Sequence, residues 1–283
     1  MTTLNIFTEI RTKYNILSPT QKKIADVILN NSDKVILMSI SDLAERCGTS
    51  ETTIMRFLRK LGFDSYQVFR VKVAQDISDK TPQAIYEDIS PDDSTEQVKQ
   101  KVVQSTIDSI KDLNRMLDNN SIKRIIDLFM KSDRIFFFGV GASSAIALDA
   151  FHKFSRLGLK ASFCSDSHIM SILSAHTATT DLMVAVSHSG ESREILDAVK
   201  LARANGTKVV AITSYPNSTL TRLSDEVLLS STNETRYRSD AMVSRIIQLV
   251  IIDILYVALV LKLGPEAIDK VNKSRLAVAE KKV

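Results

Sequence analysis

Between residues 187 and 192 the chain reads Ser-His-Ser-Gly-Glu-Ser, and between 139 and 144 it reads Gly-Val-Gly-Ala-Ser-Ser. Each stretch follows a short apolar run and leads into a helical pattern. Backbone N–H groups gathered at a helix N-terminus, joined by hydroxyls, make an anion site. Ser187, Ser189 and Ser192 set three hydroxyls around Gly190, which suits a compact phosphate bonded from several sides. Gly141, Ser143 and Ser144 offer a second set of small residues and hydroxyls. The first loop also fits a dinucleotide fingerprint with Ser144 at the third glycine, and Asp166 then mimics the ribose-binding acid. Three readings stay open on these residues alone: a phosphorylated small molecule, a nucleotide, or plain tight turns. The second loop favours the first, because a dinucleotide site needs no loop of this kind. Glu191 is awkward there, since an acid at a phosphate-binding helix start repels the ligand unless it points to sugar hydroxyls.

A second constellation lies at Ser39 to Gly62. Ser39 with Asp42 starts a capped helix, Gly48 ends it, and Ser50 caps the next. Ala44 is small, Gly48 follows four residues later, and Ile54 is an apolar plug on the second helix. Two helices crossing steeply through a short turn need these three features. Ile54, Phe57, Leu58 and Leu61 form the inner face of the second helix. Thr52, Thr53, Arg56, Arg59 and Lys60 fall on the other side. From Arg46 to Lys72 six cations stand against two acids, an excess of four that equals the net charge of the whole chain, +4. A cationic second helix fits a DNA major groove: arginine for guanine edges, threonine for backbone or methyl contacts, lysine for phosphate. Ser50, Thr52, Thr53, Arg56, Arg59 and Lys60 are therefore the expected DNA contacts. The plainer alternative is a solvated face on a protein-interaction domain. Upstream, Ser18-Pro-Thr-Gln21 caps a supporting helix with Ile24, Val27 and Ile28 inward.

The elements that must carry these residues divide the chain. Residues 1–76 show helical patterns only and form the helix-turn-helix domain, with its motif at about 39–62. Residues 77–120 read as a linker, rich in acids and turn formers up to 94, then a connecting helix with the stripe Val98, Val102, Ile110, Leu113 and Leu117. Residues 121–265 alternate: strands at Arg134–Gly139, Lys160–Cys164, Asp181–Ser187, Thr207–Thr213 and Glu226–Leu229 are separated by helices. Apolar strands alternating with helices predict a parallel sheet covered on both faces, with the ligand beyond the strands' carboxyl ends. Residues 266–283 read as a tail.

The length, 283 residues, suits two domains, and 44% hydrophobic with 25% charged residues excludes a disordered chain. Eight glycines and five prolines exclude collagen. Cys47 and Cys164, the two cysteines, form neither a disulfide scaffold nor a zinc cluster and read as small buried residues. No metal, cofactor or catalytic group is expected. No signal pattern opens the chain, and the apolar run Ile246 to Leu261, interrupted by Gln248 and Asp253, is short for a membrane span and reads as a buried helix. A cytoplasmic protein with no membrane contact is the expectation.

The Ser187–Ser192 loop resembles the S-x-S-G-x-T motif of sugar isomerase (SIS) domains, with Ser192 in place of threonine. The Gly139–Ser144 loop resembles the first phosphate-side turn of the same domain. Joined to a helix-turn-helix carrying Arg56-Phe-Leu-Arg-Lys-Leu-Gly-Phe63, the chain is similar over nearly its full length to the RpiR family of bacterial transcription regulators. The resemblance implies an all-helical DNA-binding domain followed by a five-stranded parallel αβα sandwich of flavodoxin-like type. It implies a homodimer or higher homo-oligomer that binds double-stranded operator DNA and a phosphosugar effector, either an amino-sugar 6-phosphate or a pentose or hexose phosphate. It makes Ser143, Ser144, Ser187, Ser189 and Ser192 the phosphosugar contacts, with Gly141, Gly190, Glu191 and Glu234 beside them. Read from the residues, Glu234, Arg236 and Arg238 can complete a sugar site, within one chain or across a dimer, with ordinary loop solvation as the open alternative. SIS domains also occur in isomerases, which need a base near the sugar carbons. Glu234, His188, His168 and His176 are the candidates for that alternative.

Overall fold

The computed structural model describes residues 6–78, 89–90, 92–230, 242–279 and 281. They fall into two compact units that divide between Gln104 and Ser105.

The first unit is helical: α1 (Ile6–Lys13), a short 3-10 turn (Tyr14–Ile16), α2 (Pro19–Asn30), α3 (Ser32–Val35), α4 (Ile40–Arg46), α5 (Glu51–Lys60) and α6 (Tyr66–Ser78). Side chains set the helix starts. Ser18 and Gln21 satisfy each other's backbone N–H groups at α2, and Ser39 and Asp42 do the same at α4. Ser50 Oγ accepts from Thr53 N–H at the start of α5. Each such cap contributes about 1 kcal/mol. Gly48, at φ +63°, turns the chain between α4 and α5. Ala44 and Ile54 are buried at that crossing, with Leu43, Phe57, Leu58, Ile24 and Ile28 around them. The buried carboxylate of Asp76 ties α6 back to the chain start by accepting from Ile6 N–H, and it pairs with Lys72.

The second unit begins within α7 (Thr95–Met116), which spans the division. There follow α8 (Asn119–Lys131), β1 (Arg134–Gly139), α9 (Ala142–Ser155), β2 (Ala161–Cys164), α10 (Ser167–Ala175), β3 (Asp181–Val186), α11 (Arg193–Ala204), β4 (Lys208–Thr213), α12 (Thr219–Arg222), β5 (Glu226–Leu229), α13 (Met242–Leu263) and α14 (Pro265–Ala279). The five strands are parallel in the order β2-β1-β3-β4-β5. Strand periodicity sorts their side chains into two cores. Ile135, Phe137, Leu182, Val184, Val210 and Ile212 face α8, α9 and α13. Phe136, Phe138, Met183, Ala185, Val209 and Ala211 face α10, α11 and α12. The result is the expected αβα sandwich.

Two expectations need correction. The segment read as a tail is helical over Pro265–Ala279, with Ala267 buried and Val271 packed on the core. A capping turn at Gly264 lets the chain fold back there rather than trail away. The apolar helix read as buried is α13, and it is long and apolar enough by length and composition to cross a membrane. Val243, Ile247, Ile251, Leu255 and Leu259 pack into the core, while Ile246, Val257 and Leu261 are exposed. One stripe of the helix covers the sheet and the other faces outward, since a helix lying on one face of a sheet can bury only the side it turns to that sheet.

Candidate functional site

The strand order reverses between β1 and β3: the chain leaves β1 toward β2, then returns to the other side of β1. Gly139 pairs with Val186, so the loops after these neighbouring strands start at the same level. Their helices go opposite ways, α9 to one face of the sheet and α11 to the other. Diverging connections open a crevice at the carboxyl edge, where ligands of such sheets bind. The two hydroxyl-rich loops lie at that crevice.

In the first loop, Gly139 lets α9 fold back tightly; a Cβ there would lie 2.5 Å from the Ser143 carbonyl oxygen. Gly141 caps α9 with φ +55°. Ser144 Oγ donates to the Gly141 carbonyl at 2.6 Å. The Ser143 hydroxyl, nearly buried, has no hydrogen-bond partner among the described residues.

The second loop is wound around Ser187. Its Oγ accepts from Gly190 N–H at 3.2 Å and lies 3.1 Å from Ser192 Oγ. Ser189 Oγ accepts from Glu191 N–H at 3.2 Å, which leaves its own proton to give. Gly190 has φ +64° and presses on Ser218; a Cβ would lie 2.1 Å from Ser218 Oγ. The Glu191 carboxylate accepts from Thr219 N–H at 2.7 Å, at the start of α12. That removes the difficulty this acid raised, because its charge is turned to another helix start rather than to a phosphate.

Other expected residues are placed as follows. Asp166 caps α10 by accepting from Ile169 N–H at 2.9 Å, which occupies the acid that a ribose would need. His168 and His176 are exposed on and just after α10, and no hydrogen bond joins them to either loop among the described residues. Glu234, Arg236 and Arg238 lie outside the described residues. No group of three metal-ligating side chains occurs among the described residues. A cavity of about 400 Å³ beside α12 is lined by Pro216, Thr221, Arg222, Val227 and Leu229, and none of the expected effector residues lines it. Burial pushes the Cys47 thiol up to about 11, against a small opposing pull from Arg46, so it stays protonated and inert at neutral pH.

Sequence reading missed three buried residues behind the second loop. Ser214 Oγ lies 2.8 Å from His188 Nδ1 and 2.9 Å from Ser230 Oγ, which accepts from Gln248 Nε2 at 3.1 Å. The signal was present: serine directly follows β2, β3, β4 and β5, at Ser165, Ser187, Ser214 and Ser230. Those positions are the carboxyl edge of the sheet.

In the first unit, α5 is the second helix of the helix-turn-helix. Thr52, Arg56, Arg59 and Lys60 are exposed on it, opposite the buried Ile54, Phe57 and Leu58. Arg56 and Arg59 form no ion pair or hydrogen bond among the described residues. Ser50 and Thr53 are engaged with each other, their hydroxyls 2.9 Å apart. Lys60 Nζ donates to Gln21 Oε1 at 2.9 Å. Two of the local cations are structural: Arg70 donates to the Ile36 carbonyl at 2.7 Å, and Lys72 pairs with Asp76. The usable positive charge is thereby concentrated on α5.

Residues 4–80 match the helix-turn-helix domain of the rpiR family, and residues 128–258 match the SIS domain. An HTH-type transcriptional regulator of Thermotoga maritima is 43% identical over 280 residues, covering 99% of this chain and 100% of that protein. The chain belongs to the RpiR family of transcriptional regulators. The regulator HexR of Pseudomonas aeruginosa is 33% identical over 92% of this chain and 90% of its own length. The solved structure of Vibrio vulnificus NanR complexed with ManNAc-6P superposes with a TM-score of 0.86 at 29% identity, covering 99% of this chain and 100% of NanR. These relatives decide between the two functions weighed from sequence: this RpiR-family chain is a DNA-binding transcriptional regulator and not an isomerase.

Proposed function

We propose that this RpiR-family regulator reads operator DNA with α5 and binds a phosphosugar, of the amino-sugar 6-phosphate class, at the carboxyl edge between β1 and β3. The observation that carries the reading is the pairing of two hydroxyl-lined helix starts at one strand-order reversal. A phosphate dianion needs several donors, and Ser143, Ser189 and the Ser187–Ser192 pair have protons to give. The NanR complex with ManNAc-6P supports the ligand class. Gly141, Ser144, Gly190 and Glu191 shape the two turns rather than supply protons. On the DNA side Arg56 and Arg59 are the base-reading candidates, Thr52 a backbone contact and Lys60 a phosphate contact. Ser50 and Thr53 present the helix start. Binding alters DNA affinity only if the effector favours one arrangement of the DNA-binding units over another. Residues 77–94 and α7 join the two units in sequence and are the transmission route. The protein acts in the cytoplasm as a homodimer, whose two copies of α5 read two half-sites.

The test is a DNA-binding titration against a phosphosugar found by thermal-shift screening. Ser189→Ala should leave effector-free DNA binding intact and weaken the response. One lost charge-assisted hydrogen bond costs about 1.5–3 kcal/mol, roughly a tenfold to hundredfold shift in dose. Unshifted doses in Ser187→Ala, Ser189→Ala and Ser192→Ala alike would place the pocket elsewhere.

A further inference from the structure

The last residue of α5 is held from two sides. A helix leaves its final carbonyls without intrahelical partners, and the aligned peptide dipoles make that end negative. Lys13, the last residue of α1, sends its ammonium there: Lys13 Nζ donates to the Lys60 carbonyl at 2.8 Å. The same ammonium pairs with Glu9 Oε1 at 2.7 Å, one turn back along α1. Glu9 thus fixes the direction in which Lys13 reaches and balances its charge. Helix α1 is itself fixed, because Ile6 and Ile10 are buried in the core of the helical unit. The side chain of Lys60 is held as well, by Gln21 Oε1 at 2.9 Å, an oxygen that also accepts from Ser18 N–H at 3.3 Å. Main chain and side chain of one residue are therefore tied to the end of α1 and the start of α2. The partners lie 47 and 39 positions away in sequence.

We propose that Lys13, steered by Glu9, is a positioning residue for DNA recognition: it seats the C-terminal end of α5 so that Arg56 and Arg59 meet the operator at a fixed angle. The proposal rests on the reading above that α5 reads DNA, and it adds two residues from a helix outside the helix-turn-helix. Arg56 lies one turn before Lys60 and Arg59 directly before it, so a shift at the helix end moves both guanidinium groups. Ile54, Phe57 and Leu58 hold α5 against the core, but apolar contacts are non-directional. A bidentate contact to a base edge is directional, and the group that makes it must be held within about 0.5 Å. A hydrogen bond at the helix end supplies that restraint. The Lys13 ammonium is already engaged with the Lys60 carbonyl and balanced by Glu9, so it adds little to the general attraction of phosphates. The pair therefore acts on selectivity between DNA sequences rather than on affinity for DNA as such.

The probes are the duplex that the full chain enriches from random-sequence DNA and poly(dI-dC) as nonspecific DNA. Both are titrated at several salt concentrations, well below the melting temperature of each variant. Lys13→Met should lower the ratio of selected to nonspecific affinity about twofold to fivefold, the span that a cation at a helix end is worth. Its salt slope on nonspecific DNA should stay that of wild type, whereas loss of a phosphate contact reduces the slope by about one. Lys13→Arg should restore the ratio, since a guanidinium has donors for both partners. Glu9→Gln is the sharper variant. By charge alone, removing an acid tightens binding to all DNA; the proposal instead expects the ratio to fall as it does in Lys13→Met. Glu9→Gln also carries the test if Lys13→Met does not fold. A wild-type ratio in Glu9→Gln, and in Lys13→Met where it folds, would overturn the proposal. So would a slope reduced by about one in Lys13→Met, which would make Lys13 a phosphate contact. Arg56→Ala controls the underlying reading. If it changes the ratio while the Lys13 and Glu9 variants do not, only the positioning role falls. If it leaves the ratio at the wild-type value, or if the chain enriches no duplex, α5 is not the reading helix and the proposal falls with it.

Discussion

Gly190 shows how closely the site is specified at a single position. Its φ of +64° disfavours any side chain, and the space a Cβ needs is filled by Ser218, the buried cap of α12. Gly190→Ala must displace either the serine loop or that cap. Backbone strain of this kind costs about 1–3 kcal/mol before any clash is counted. The variant should melt at a lower temperature than wild type and lose the stabilisation that a bound phosphosugar gives. A melting curve equal to wild type, with and without ligand, would refute this role. On α5 the residues divide differently. Arg56→Ala should cost about 1–3 kcal/mol of operator binding and relax preference at one base pair. Lys60→Ala should weaken all DNA sequences alike and reduce the salt slope by about one. Lys60 also bonds Gln21, so its removal should lower the melting temperature slightly, whereas Arg56→Ala should not. Operator titrations at several salt concentrations, beside melting curves, separate the two.

Elements are held in register by side chains at their ends. Asp225 is the clearest case: it precedes the edge strand β5, receives Val209 N–H from β4 at 2.9 Å, and pairs with Lys208 and Arg203. Burial raises its pKa, but the bonds from Lys208 and Val209 and the nearby positive charge outweigh this and leave it below the usual aspartate value. A depressed carboxylate contributes stability above its unfolded pKa and loses it as pH falls through its folded value. Asp225→Asn should therefore lower the melting temperature at pH 7, and the gap to wild type should close as the pH drops below the ordinary aspartate range. Calorimetry across that range measures it; a gap that persists in strong acid would assign the effect to packing instead. Helix α7 behaves differently along its length. Leu113 and Leu117 pack on the sheet core, while Val103, Ile107 and Ile110 are exposed.

Across the whole chain, each of the two units has its own core of apolar residues. On α13 Val257 is 54% and Leu261 77% exposed, and on α14 Ile268 and Leu276 are exposed as well. Exposed apolar surface of this extent marks an interaction site. A second copy of the chain is the occupant that a regulator with one recognition helix needs, since two half-sites supply the contacts that one lacks. Sedimentation velocity at micromolar concentration should show a dimer, and the pair Val257→Asp with Leu261→Asp should shift it to monomer and weaken operator binding. A monomeric wild type, with and without DNA, would remove dimerisation from the account.

Features that depend on neighbours along the chain were legible from the residues alone. Capping pairs such as Ser39 with Asp42, the turn at Gly48, the inner face of α5 and the alternation of strands and helices are local, and each was found within a residue or so of its expected place. The two serine loops were equally legible as strand-to-helix turns, because such a turn is built within six consecutive residues. Contacts between residues far apart in the chain were not legible in this way and emerged with the folded structure. Glu191 is explained by Thr219, Asp166 turns out to be a helix cap, and Lys60 meets Gln21. The chain from Gln248 to His188 draws on two strand ends and a distant helix, up to 60 positions apart in sequence but within hydrogen-bond reach at each step. Parallel strands bring their carboxyl ends together only once the crossovers are complete. No periodicity in the sequence encodes which serines then meet.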